Sequence, residues 1–366
     1  MNTAADVAVI GAGPAGVAAA NELTGRGVSV VVIDENQRPG GQIGRLRFVS
    51  ESDADRGELD MAVDFRGSTV CHGFRDEHAV VVSDSCGTST IHAEFFIVAT
   101  GSREVVYPMP GWTLPGVMTA GAAQTFLKGS GALPYRRVLV AGSGPLLLAA
   151  ATQLVDHGVE VAGVLDASRP RLADWRDAVR LGASPALLAQ GADYVVRLAR
   201  AGVRVRLGHG VASIVGETRV RGATVGALDH DWRFTDTATD FIDCDAVLLC
   251  HGFSSVVELV GQSGGQLDWD DRRLDWVPRR DRAFRTTVPH VRAVGDCAGV
   301  GGAQIAALEG TLVGRWTADE LTGRTADAPG ALPRRLRRLE RFRLGMDGLF
   351  RAGTGAGTWA EPSTTI

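Results

Sequence analysis

Two stretches of the chain repeat the same order of apolar, glycine-rich and helical segments. In residues 6–33 a short apolar run is followed by a glycine turn, a helical pattern with small residues on one face, and a second apolar run. Residues 138–166 repeat this order. Such a succession is typical of a βαβ unit with parallel strands. The sequence therefore predicts an α/β protein that contains two such units.

Shorter patterns follow each βαβ unit. Residues 69–98 predict a meander that returns to the first sheet, and the polar residues 51–66 predict a short helix. After the second unit we expect an amphipathic helix at residues 184–201 and a helix that starts near Gly302. Further strands are expected at residues 203–208, 211–228, 245–252 and 291–296. The last forty residues are rich in Arg and then in Gly and Thr, which predicts a frayed tail.

The domain organisation is predicted from length and from a Pro/Gly cluster. At 366 residues the chain is too long for one ordinary core. The Pro and Gly residues at 108–116 predict a linker. We therefore predict a discontinuous first domain of residues 1–110 and 280–325, a second domain of residues 111–279, and a C-terminal tail of residues 326–366.

Charge and cysteine content exclude several classes of protein. The net charge of −4 gives no reason to expect nucleic-acid binding. No run of about 18 apolar residues occurs, so no transmembrane segment is predicted. The five cysteines form no CxxC or CxC pair, which predicts reduced thiols, no metal site and no redox dithiol. A start without a positively charged leader adds to the prediction of a cytoplasmic protein. The basic run at residues 334–341 is either a solvated helix face or a docking surface.

The first glycine turn carries the GxGxxG pattern as Gly11, Gly13 and Gly16. These glycines permit, in order, a tight turn, the approach of a pyrophosphate to the backbone, and close packing of the helix on the strand. The helix N-terminus offers free N–H groups to phosphates. Asp34 ends the second apolar run, where a carboxylate accepts hydrogen bonds from an adenosine ribose. The alternative is a glycine turn without a ligand.

Four motifs in this order resemble the flavoproteins with two dinucleotide-binding domains, the broad group of thioredoxin-reductase-like and glutathione-reductase-like enzymes. The motifs are GAGPAG (11–16), PGGQ (39–42), ATG (99–101) and VGD (294–296). The resemblance covers about residues 6–320. It implies two Rossmann-like, glutathione- and thioredoxin-reductase-like domains, and FAD bound by the first, discontinuous domain.

In that group these motifs line one FAD, so the resemblance also implies contacts. Asp296 would hydrogen-bond the ribityl or phosphate end, although a turn aspartate that caps the next helix is the alternative. The helix that begins near Gly302 would aim its N-terminus at the pyrimidine side of the isoalloxazine, where reduced flavin accumulates negative charge. The implied FAD contacts are Gly11, Ala12, Gly13, Pro14, Ala15, Gly16, Asp34, Glu35, Gly41, Gln42, Val70, Ala99, Thr100, Gly101, Gly295, Asp296, Ala303, Gln304 and Ile305.

The second glycine turn, GSGPLLL (142–148), has Leu147 at the third glycine position. The missing glycine predicts a wider contact between helix and strand and departs from the usual NAD pattern. Three interpretations stay open: a vestigial or structural fold, an NAD(H) site, or a site for another adenine nucleotide. The candidate contacts of this second site are Gly142, Ser143, Gly144, Pro145 and Asp166.

A narrower resemblance rests on PGWTLPGV (110–117), TAGAAQ (119–124), CHGF (250–253) and GDCAGVGG (295–302). These segments resemble the flavoprotein α subunits of heteromeric amine and amino-acid dehydrogenases, a family that includes opine oxidases, hydroxyproline and proline dehydrogenase complexes, and hydrogen cyanide synthase. The resemblance implies a β subunit that holds its own FAD in the amine-oxidising pocket. It also leaves open an FMN at an interface between subunits.

Many α subunits of that family end in a cysteine-rich [2Fe–2S] domain. The five scattered cysteines of this sequence do not match such a domain. We therefore expect an iron–sulfur cluster, if the complex has one, on a separate small [2Fe–2S] subunit.

The sequence identifies no catalytic residue. Cys297 and His251 are expected to be structural more than functional, with a small buried thiol and a satisfied imidazole as the simpler interpretations. Trp112 and Trp316 are expected to pack rather than to stack on flavin.

The predicted function is that of a flavin-dependent oxidoreductase, the FAD-binding α subunit of a multisubunit dehydrogenase or oxidase for an opine, hydroxyproline, sarcosine or glycine. Two alternatives stay open. One is a stand-alone NAD(P)H-dependent flavin oxidoreductase, and the other is a non-catalytic scaffold that holds structural nucleotides within a complex.

Overall fold

The structure is a computed structural model that describes residues 3–44, 58–169, 175–235, 240–324, 332–350 and 353. The chain forms two compact units. The first unit consists of Met1–Arg103 and Ser254–Glu340, and the second of Glu104–Phe253 and Arg341–Ile366. The predicted domain borders at residues 110 and 280 stay predictions.

The strands, in chain order, are β1 (Thr3–Ile10), β2 (Val30–Ile33), β3 (Asp64–Arg66), β4 (Val70–Asp76), β5 (Ala79–Asp84), β6 (Gly87–Val98), β7 (Ser102–Glu104), β8 (Val117–Thr119), β9 (Arg137–Gly142), β10 (Glu160–Asp166), β11 (Val205–Leu207), β12 (His209–Val215), β13 (Gly222–Ala227), β14 (Asp240–Asp243), β15 (Ala246–Cys250), β16 (Phe253–Ser255), β17 (Leu267–Asp270), β18 (Asp275–Pro278) and β19 (Val291–Ala293). The helices are α1 (Pro14–Thr24), α2 (Gly41–Gly44), α3 (Ala120–Ser130), α4 (Pro145–Asp156), α5 (Trp175–Leu181), α6 (Pro185–Arg200), α7 (Glu258–Gln262), α8 (Ala303–Leu321) and α9 (Arg334–Leu349). A 3₁₀ turn spans Gly295–Ala298.

The first unit is built on a sheet with the strand order β3-β2-β1-β6-β5-β4, and β19 pairs with β6. The strands β1, β2, β3, β6 and β19 run parallel, whereas β4 and β5 pair antiparallel. All four residues of β2 are buried, as are Val7–Ile10 of β1. Continuous apolar runs of this kind are typical of parallel strands covered on both faces. The carboxyl ends of β1, β2, β6 and β19 therefore lie along one edge of the sheet.

The second unit contains a fully parallel sheet with the order β11-β10-β9-β15-β8 and an antiparallel sheet β12-β13-β14. Its βαβ unit is β9, α4 and β10. Two apolar clusters fill this unit, and their members include Leu139 and Trp232 in one and Leu147 and Leu154 in the other. The predicted fold class, α/β with two Rossmann-like units, is confirmed.

Two local predictions are wrong within the described residues. Residues 58–63 form no helix, and β3 follows them, whereas residues 51–57 lie outside the described part. The Arg-rich part of the predicted tail is the helix α9, because Leu336 and Leu339 pack into the core while its arginines face outward. This arrangement matches the interpretation of the basic run as a solvated helix face.

Candidate functional site

The first glycine turn joins β1 to α1 through contacts that exclude side chains. Gly11 has φ +103°, and a Cβ at this residue would lie 2.3 Å from the carbonyl oxygen of Ala99. A Cβ at Gly16 would lie 1.8 Å from the carbonyl oxygen of Gly11. Real Cβ atoms do not approach backbone oxygens this closely, so glycine is required at both positions. The helix consequently begins directly against the strand.

Gly13 differs from its two neighbours because its side-chain position faces open space. Its φ of −73° is accessible to any residue, and no atom lies within 4 Å of a built Cβ. Gly13 is the N-cap of α1, Pro14 follows it, and no side chain caps the helix. The first N–H groups of α1 therefore have no side-chain acceptor, and a phosphate fits the cradle that a Cβ would partly fill.

Asp34 ties the end of β2 to this turn. The carboxylate is 8% exposed and accepts hydrogen bonds from the Ala12 N–H at 2.6 Å and from the Asn36 N–H and Nδ2 at 2.7 Å. Glu35, the next residue, is exposed. Asp34 thus lies where a ribose carboxylate is expected, and it also shapes the turn itself.

The PGGQ loop borders the same turn, and the residue before β4 contacts Asp34, since the Thr69 N–H donates to the Asp34 carbonyl at 2.9 Å. The Gly40 N–H donates to the Ala12 carbonyl at 2.7 Å, and a Cβ at Gly41 would lie 2.8 Å from Gly13 Cα. Val70 opens β4 with 45% of its surface exposed. Gln42 is exposed in the short helix α2.

The ATG motif follows β6 and lies beside the glycine turn. The Ala99 N–H donates to the Ile10 carbonyl at 2.8 Å, and the Thr100 hydroxyl donates to the Val256 carbonyl at 2.8 Å. Gly101 has φ +76° and open space at its Cβ position. These bonds hold the backbone of the motif at the carboxyl end of the sheet.

Asp296 lies in the 3₁₀ turn between β19 and α8. Its Oδ1 accepts the N–H groups of Gly301 and Gly302 at 2.9 Å, and its Oδ2 lies 3.4 Å from the Ser102 hydroxyl. Gly302 is the N-cap of α8 with φ +82° and without a side-chain cap. The carboxylate therefore orients the N-terminus of α8, at which Ala303 is half-buried, Gln304 exposed and Ile305 buried.

Two glycines that sequence reasoning missed bring α8 against α1. A Cβ at Gly310 would lie 2.1 Å from the Ala15 carbonyl oxygen, and a Cβ at Gly314 would lie 2.7 Å from the Ala19 carbonyl oxygen. A Cβ at Gly295 would also lie 2.9 Å from the Ala15 Cβ. The four-residue spacing of Gly310 and Gly314 on one helix face was the available signal. This close crossing sets the position of the α8 N-terminus relative to the first glycine turn.

The second glycine turn has a different construction. Gly142 and Gly144 have φ values of +146° and +105°, and a Cβ at Gly142 would lie 1.7 Å from the Cys250 carbonyl oxygen. The Ser143 N–H donates to that carbonyl at 2.7 Å, and Pro145 begins α4. Leu147 is fully buried among apolar side chains of its own unit. Side-chain packing therefore replaces the backbone contact that Gly16 makes in the first turn.

Asp166 ends β10 as Asp34 follows the end of β2. It is 2% exposed and accepts the Ser168 N–H at 2.9 Å. Burial raises the pKa of Asp166 to about 6, against the effect of the hydrogen bond from the Ser168 N–H, which lowers it. Burial favours the neutral carboxyl because the charged form loses its hydration.

Comparison with known families places this geometry in context. A family model described as pyridine nucleotide-disulphide oxidoreductase matches residues 5–310. The chain belongs to this family. The pyridine nucleotide-disulphide oxidoreductases are flavin-dependent, so the chain is a flavin-dependent oxidoreductase with an FAD-binding fold.

Curated relatives of the chain are named as components of larger enzymes. The chain is 34% identical to an opine oxidase subunit from Agrobacterium tumefaciens over 84% of its own length and 64% of that protein. It is 30% identical to the HcnB subunit of hydrogen cyanide synthase from Pseudomonas aeruginosa over 98% of its own length and 81% of that protein. The chain thus spans less than two thirds of the opine oxidase protein.

Solved structures show the same fold at low identity. L-proline dehydrogenase from P. horikoshii superposes with a TM-score of 0.65 at 20% identity, covering 92% of this chain and 59% of that one. Thioredoxin reductase from T. acidophilum superposes with a TM-score of 0.63 at 21% identity, covering 87% and 99%. At these identities the likeness concerns the fold alone.

The cysteines give this member of the pyridine nucleotide-disulphide oxidoreductase family no dithiol. All five thiols are free, and Cys297 is fully buried beside Asp296. Its thiol lies 3.2 Å from the carbonyl oxygens of Val98 and Val294, and burial raises its pKa to about 11. A neutral thiol held by carbonyls is a poor nucleophile, so Cys297 serves as a small packed side chain.

His251 lies in a buried aromatic cluster of the second unit. Its ring centroid is 5.2 Å from that of Tyr107 and 6.3 Å from that of Trp232, and burial lowers its pKa to about 4. The imidazole is therefore neutral at physiological pH. Trp316 stacks on Phe284 at 5.5 Å, whereas Trp112 is 41% exposed.

Metal ligands and membrane spans can be assessed for the described residues. These residues contain no group of three or more His, Cys, Asp or Glu side chains that could hold a metal ion. Within the same part of the chain, no helix combines the length and the apolar character that crossing a membrane requires.

Proposed function

We propose that this chain is the FAD-binding α subunit of a multisubunit dehydrogenase or oxidase for amines or amino acids, with an opine, hydroxyproline, sarcosine or glycine as substrate class. One observation carries the proposal. The chain is 34% identical over 84% of its length to a protein named as an opine oxidase subunit. A third relative, at 28% identity over 90% of this chain and 34% of that protein, is named as the alpha subunit of sarcosine oxidase.

The geometry of the first turn supports FAD as the cofactor. The cradle at Gly13 and the free N-terminus of α1 suit a pyrophosphate, and Asp34 suits a ribose. Asp296 and the N-terminus of α8 suit the flavin end, where a helix N-terminus stabilises negative charge. Bound FAD would supply hydride transfer at its N5. The side chains of this protein would bind the cofactor, orient it and tune its charge.

The remaining components of the assembly are part of this proposal. The partner is a β subunit with its own FAD. A small [2Fe–2S] subunit would join it, together with an FMN at an interface, where the complex has them. The second turn would hold NAD(H) or another adenine nucleotide, or would serve as structure alone. The complex would be cytoplasmic.

A stand-alone NAD(P)H-dependent flavin oxidoreductase is the second candidate. One observation favours it, since Gly144 at the second turn leaves open space at its Cβ position, as Gly13 does. Asp166 at the end of β10 lies where a ribose would bind. The packed Leu147 argues against a close approach of α4 to the strand.

The decisive experiment compares the isolated chain with the chain co-purified with the products of adjacent genes. Released cofactors are identified by mass spectrometry, and flavin absorbance is followed after adding proline, hydroxyproline, sarcosine, glycine or octopine. The proposal expects FAD in the isolated chain, no amine oxidation by it alone, and bleaching of its flavin in the complex. A Gly13→Ala variant in the same complex is the matched control for the first turn.

Three outcomes would contradict the proposal. Efficient amine oxidation by the isolated chain would assign the chemistry to this chain itself. Rapid oxidation of NADH or NADPH with a dye acceptor would establish the stand-alone reductase. If the FAD of this chain never bleached in the complete complex with any of the amines, the result would favour a non-catalytic scaffold subunit.

A further inference from the structure

A buried ion pair lies behind the turn that carries Asp296. The Glu309 carboxylate, 4% exposed, accepts hydrogen bonds at 2.8 and 2.9 Å from both terminal nitrogens of Arg280, whose side chain is 19% exposed. Replacing a buried ion pair by apolar residues often leaves stability unchanged, because desolvation offsets the attraction. Stability alone therefore does not account for charges at this place.

Glu309 also binds the backbone of the turn. Its Oε2 accepts the Gly295 N–H at 2.8 Å, and Gly295 has a left-handed φ of +73°. Arg280 donates in addition to the Ala293 carbonyl at 3.0 Å. The ion pair thus holds the strand end and the first residue of the turn, on either side of Val294.

The turn is held from its other side by Asp296. Its Oδ1 accepts the N–H groups of Gly301 and Gly302, which precede α8, and Glu309 lies further along the same helix. The backbone from residue 295 to residue 302 is therefore attached to α8 at both ends. A shift of Asp296 would require breaking the hydrogen bond from the Gly295 N–H to Glu309, or the hydrogen bonds that Asp296 accepts from Gly301 and Gly302.

We propose that Glu309, oriented by Arg280, is a positioning residue that sets the place of Asp296 and of the α8 N-terminus against the flavin. This inference rests on the proposed function, since it requires FAD at the first site. The acceptor that Glu309 offers to Gly295 determines how tightly the flavin is held and its reduction potential, because Asp296 and the α8 dipole act on the charge of the reduced ring.

The sharpest test compares two double variants. Arg280→Met with Glu309→Met replaces the pair by apolar side chains of similar length and removes the acceptor for the Gly295 N–H. Arg280→Met with Glu309→Gln also removes both charges, but its amide oxygen still accepts that N–H. Both avoid an uncompensated buried charge, so they are expected to fold. Arg315→Met on α8 removes a different, exposed ion pair, to Glu22, whose carboxylate keeps Arg26 as a partner, and is the matched control.

Three measurements are made on each protein: amide hydrogen exchange at residues 295–302 without flavin, the dissociation constant of FAD, and the potential of bound flavin. For the Met/Met variant we expect faster exchange, about tenfold weaker FAD binding and a shifted potential. The Met/Gln variant keeps the acceptor but loses Arg280, so it should lie between wild type and Met/Met. Arg315→Met should stay close to wild type in all three measurements.

Two results would overturn the inference. The first is a Met/Met variant that matches Met/Gln in exchange, FAD affinity and potential. The second is an Arg315→Met protein that changes as much as Met/Met, which would indicate a general loss of stability. Wild-type protein that binds no FAD would instead refute the proposed function, and the inference would fail with it.

Discussion

At the first glycine turn the helix lies so close to the strand that Gly16 has no room for a Cβ, whereas at the second turn Leu147 occupies the corresponding position. The first contact is between backbone atoms, and the second is between apolar side chains. The same βαβ pattern therefore supports two kinds of helix–strand contact. The third position of the motif decides between them, because at this position the helix packs on the strand.

The acidic residues after the two turns also differ, both in their hydrogen bonds and in their exposure. Asp34 accepts an N–H from its own glycine turn, at Ala12, and remains 8% exposed. Asp166 is 2% exposed, and burial raises its pKa to about 6. The first turn thus presents a hydrogen-bonded carboxylate beside an open cradle, while the second withdraws its carboxylate from water. A series of substitutions tests these differences between the two turns.

The largest effect is expected from Gly16→Leu, which copies the second turn into the first. A Cβ 1.8 Å from the Gly11 carbonyl oxygen forces the helix off the strand, so we expect the free energy of unfolding to fall by more than about 5 kcal/mol. Circular dichroism in a urea titration measures this loss. A urea midpoint near that of wild type would show that the close contact at the first turn is not required.

Leu147→Ala should cost about 3 kcal/mol, because it opens a cavity in a filled apolar cluster. Equilibrium urea unfolding is again the measurement. Leu188→Ala on α6 is the matched control, since Leu188 is 42% exposed and its truncation should change the free energy of unfolding by under about 0.5 kcal/mol. Equal losses for both leucines would mean that Leu147 packs less tightly than described.

Gly13→Ala should weaken FAD binding about 100-fold, equivalent to about 2.8 kcal/mol, because the methyl group enters the phosphate cradle. The flavin-free protein should keep its stability, since φ is −73° and no atom lies within 4 Å of the new Cβ. Flavin titration by fluorescence and urea unfolding without flavin separate the two quantities.

Gly144→Ala is the counterpart in the second turn. Its φ of +105° should cost about 1–2 kcal/mol of folding stability even without a ligand. If Gly13→Ala destabilised the flavin-free protein as much as Gly144→Ala, the distinction between the two turns would fail.

A further effect of similar size depends on pH and concerns Asp166. The pKa of Asp166 is raised from 3.8 to about 6, so its native-state proton stabilises the fold fully below pH 4, and this stabilisation is lost as pH rises through 6. The difference in free energy of unfolding between Asp166→Asn and wild type should therefore shift by about 2 kcal/mol in favour of the variant as pH rises from 4.5 to 7.5. Urea unfolding across this range measures the difference.

Much of the fold was predictable from the chain alone. The predicted strands at 6–10 and 138–142 and the helix at 184–201 correspond to β1, β9 and α6. The helix predicted at 51–66 was wrong for residues 58–66, because polar residues without an apolar period carry little local information. The tail was mispredicted because two leucines, Leu336 and Leu339, anchor α9 in the core.

The candidate site was predictable in part. The glycine turn and Asp34 meet as their order along the chain suggested, since local geometry brings them together. Arg280 and Glu309 escaped notice because neither belongs to a motif, and their significance lies in a contact with Gly295. The assignment of these residues to FAD stays a prediction.

The sequence by itself determined the two βαβ units, their parallel strands and the positions of their glycine turns, because apolar periodicity and the steric freedom of glycine act over short segments. Only the tertiary structure decided how closely α8 crosses α1 and which charged side chains hold the turn that carries Asp296. Gly310, Gly314, Arg280 and Glu309 acquire these roles through neighbours far away in the chain. Such contacts depend on the packing of whole elements, which no local pattern specifies.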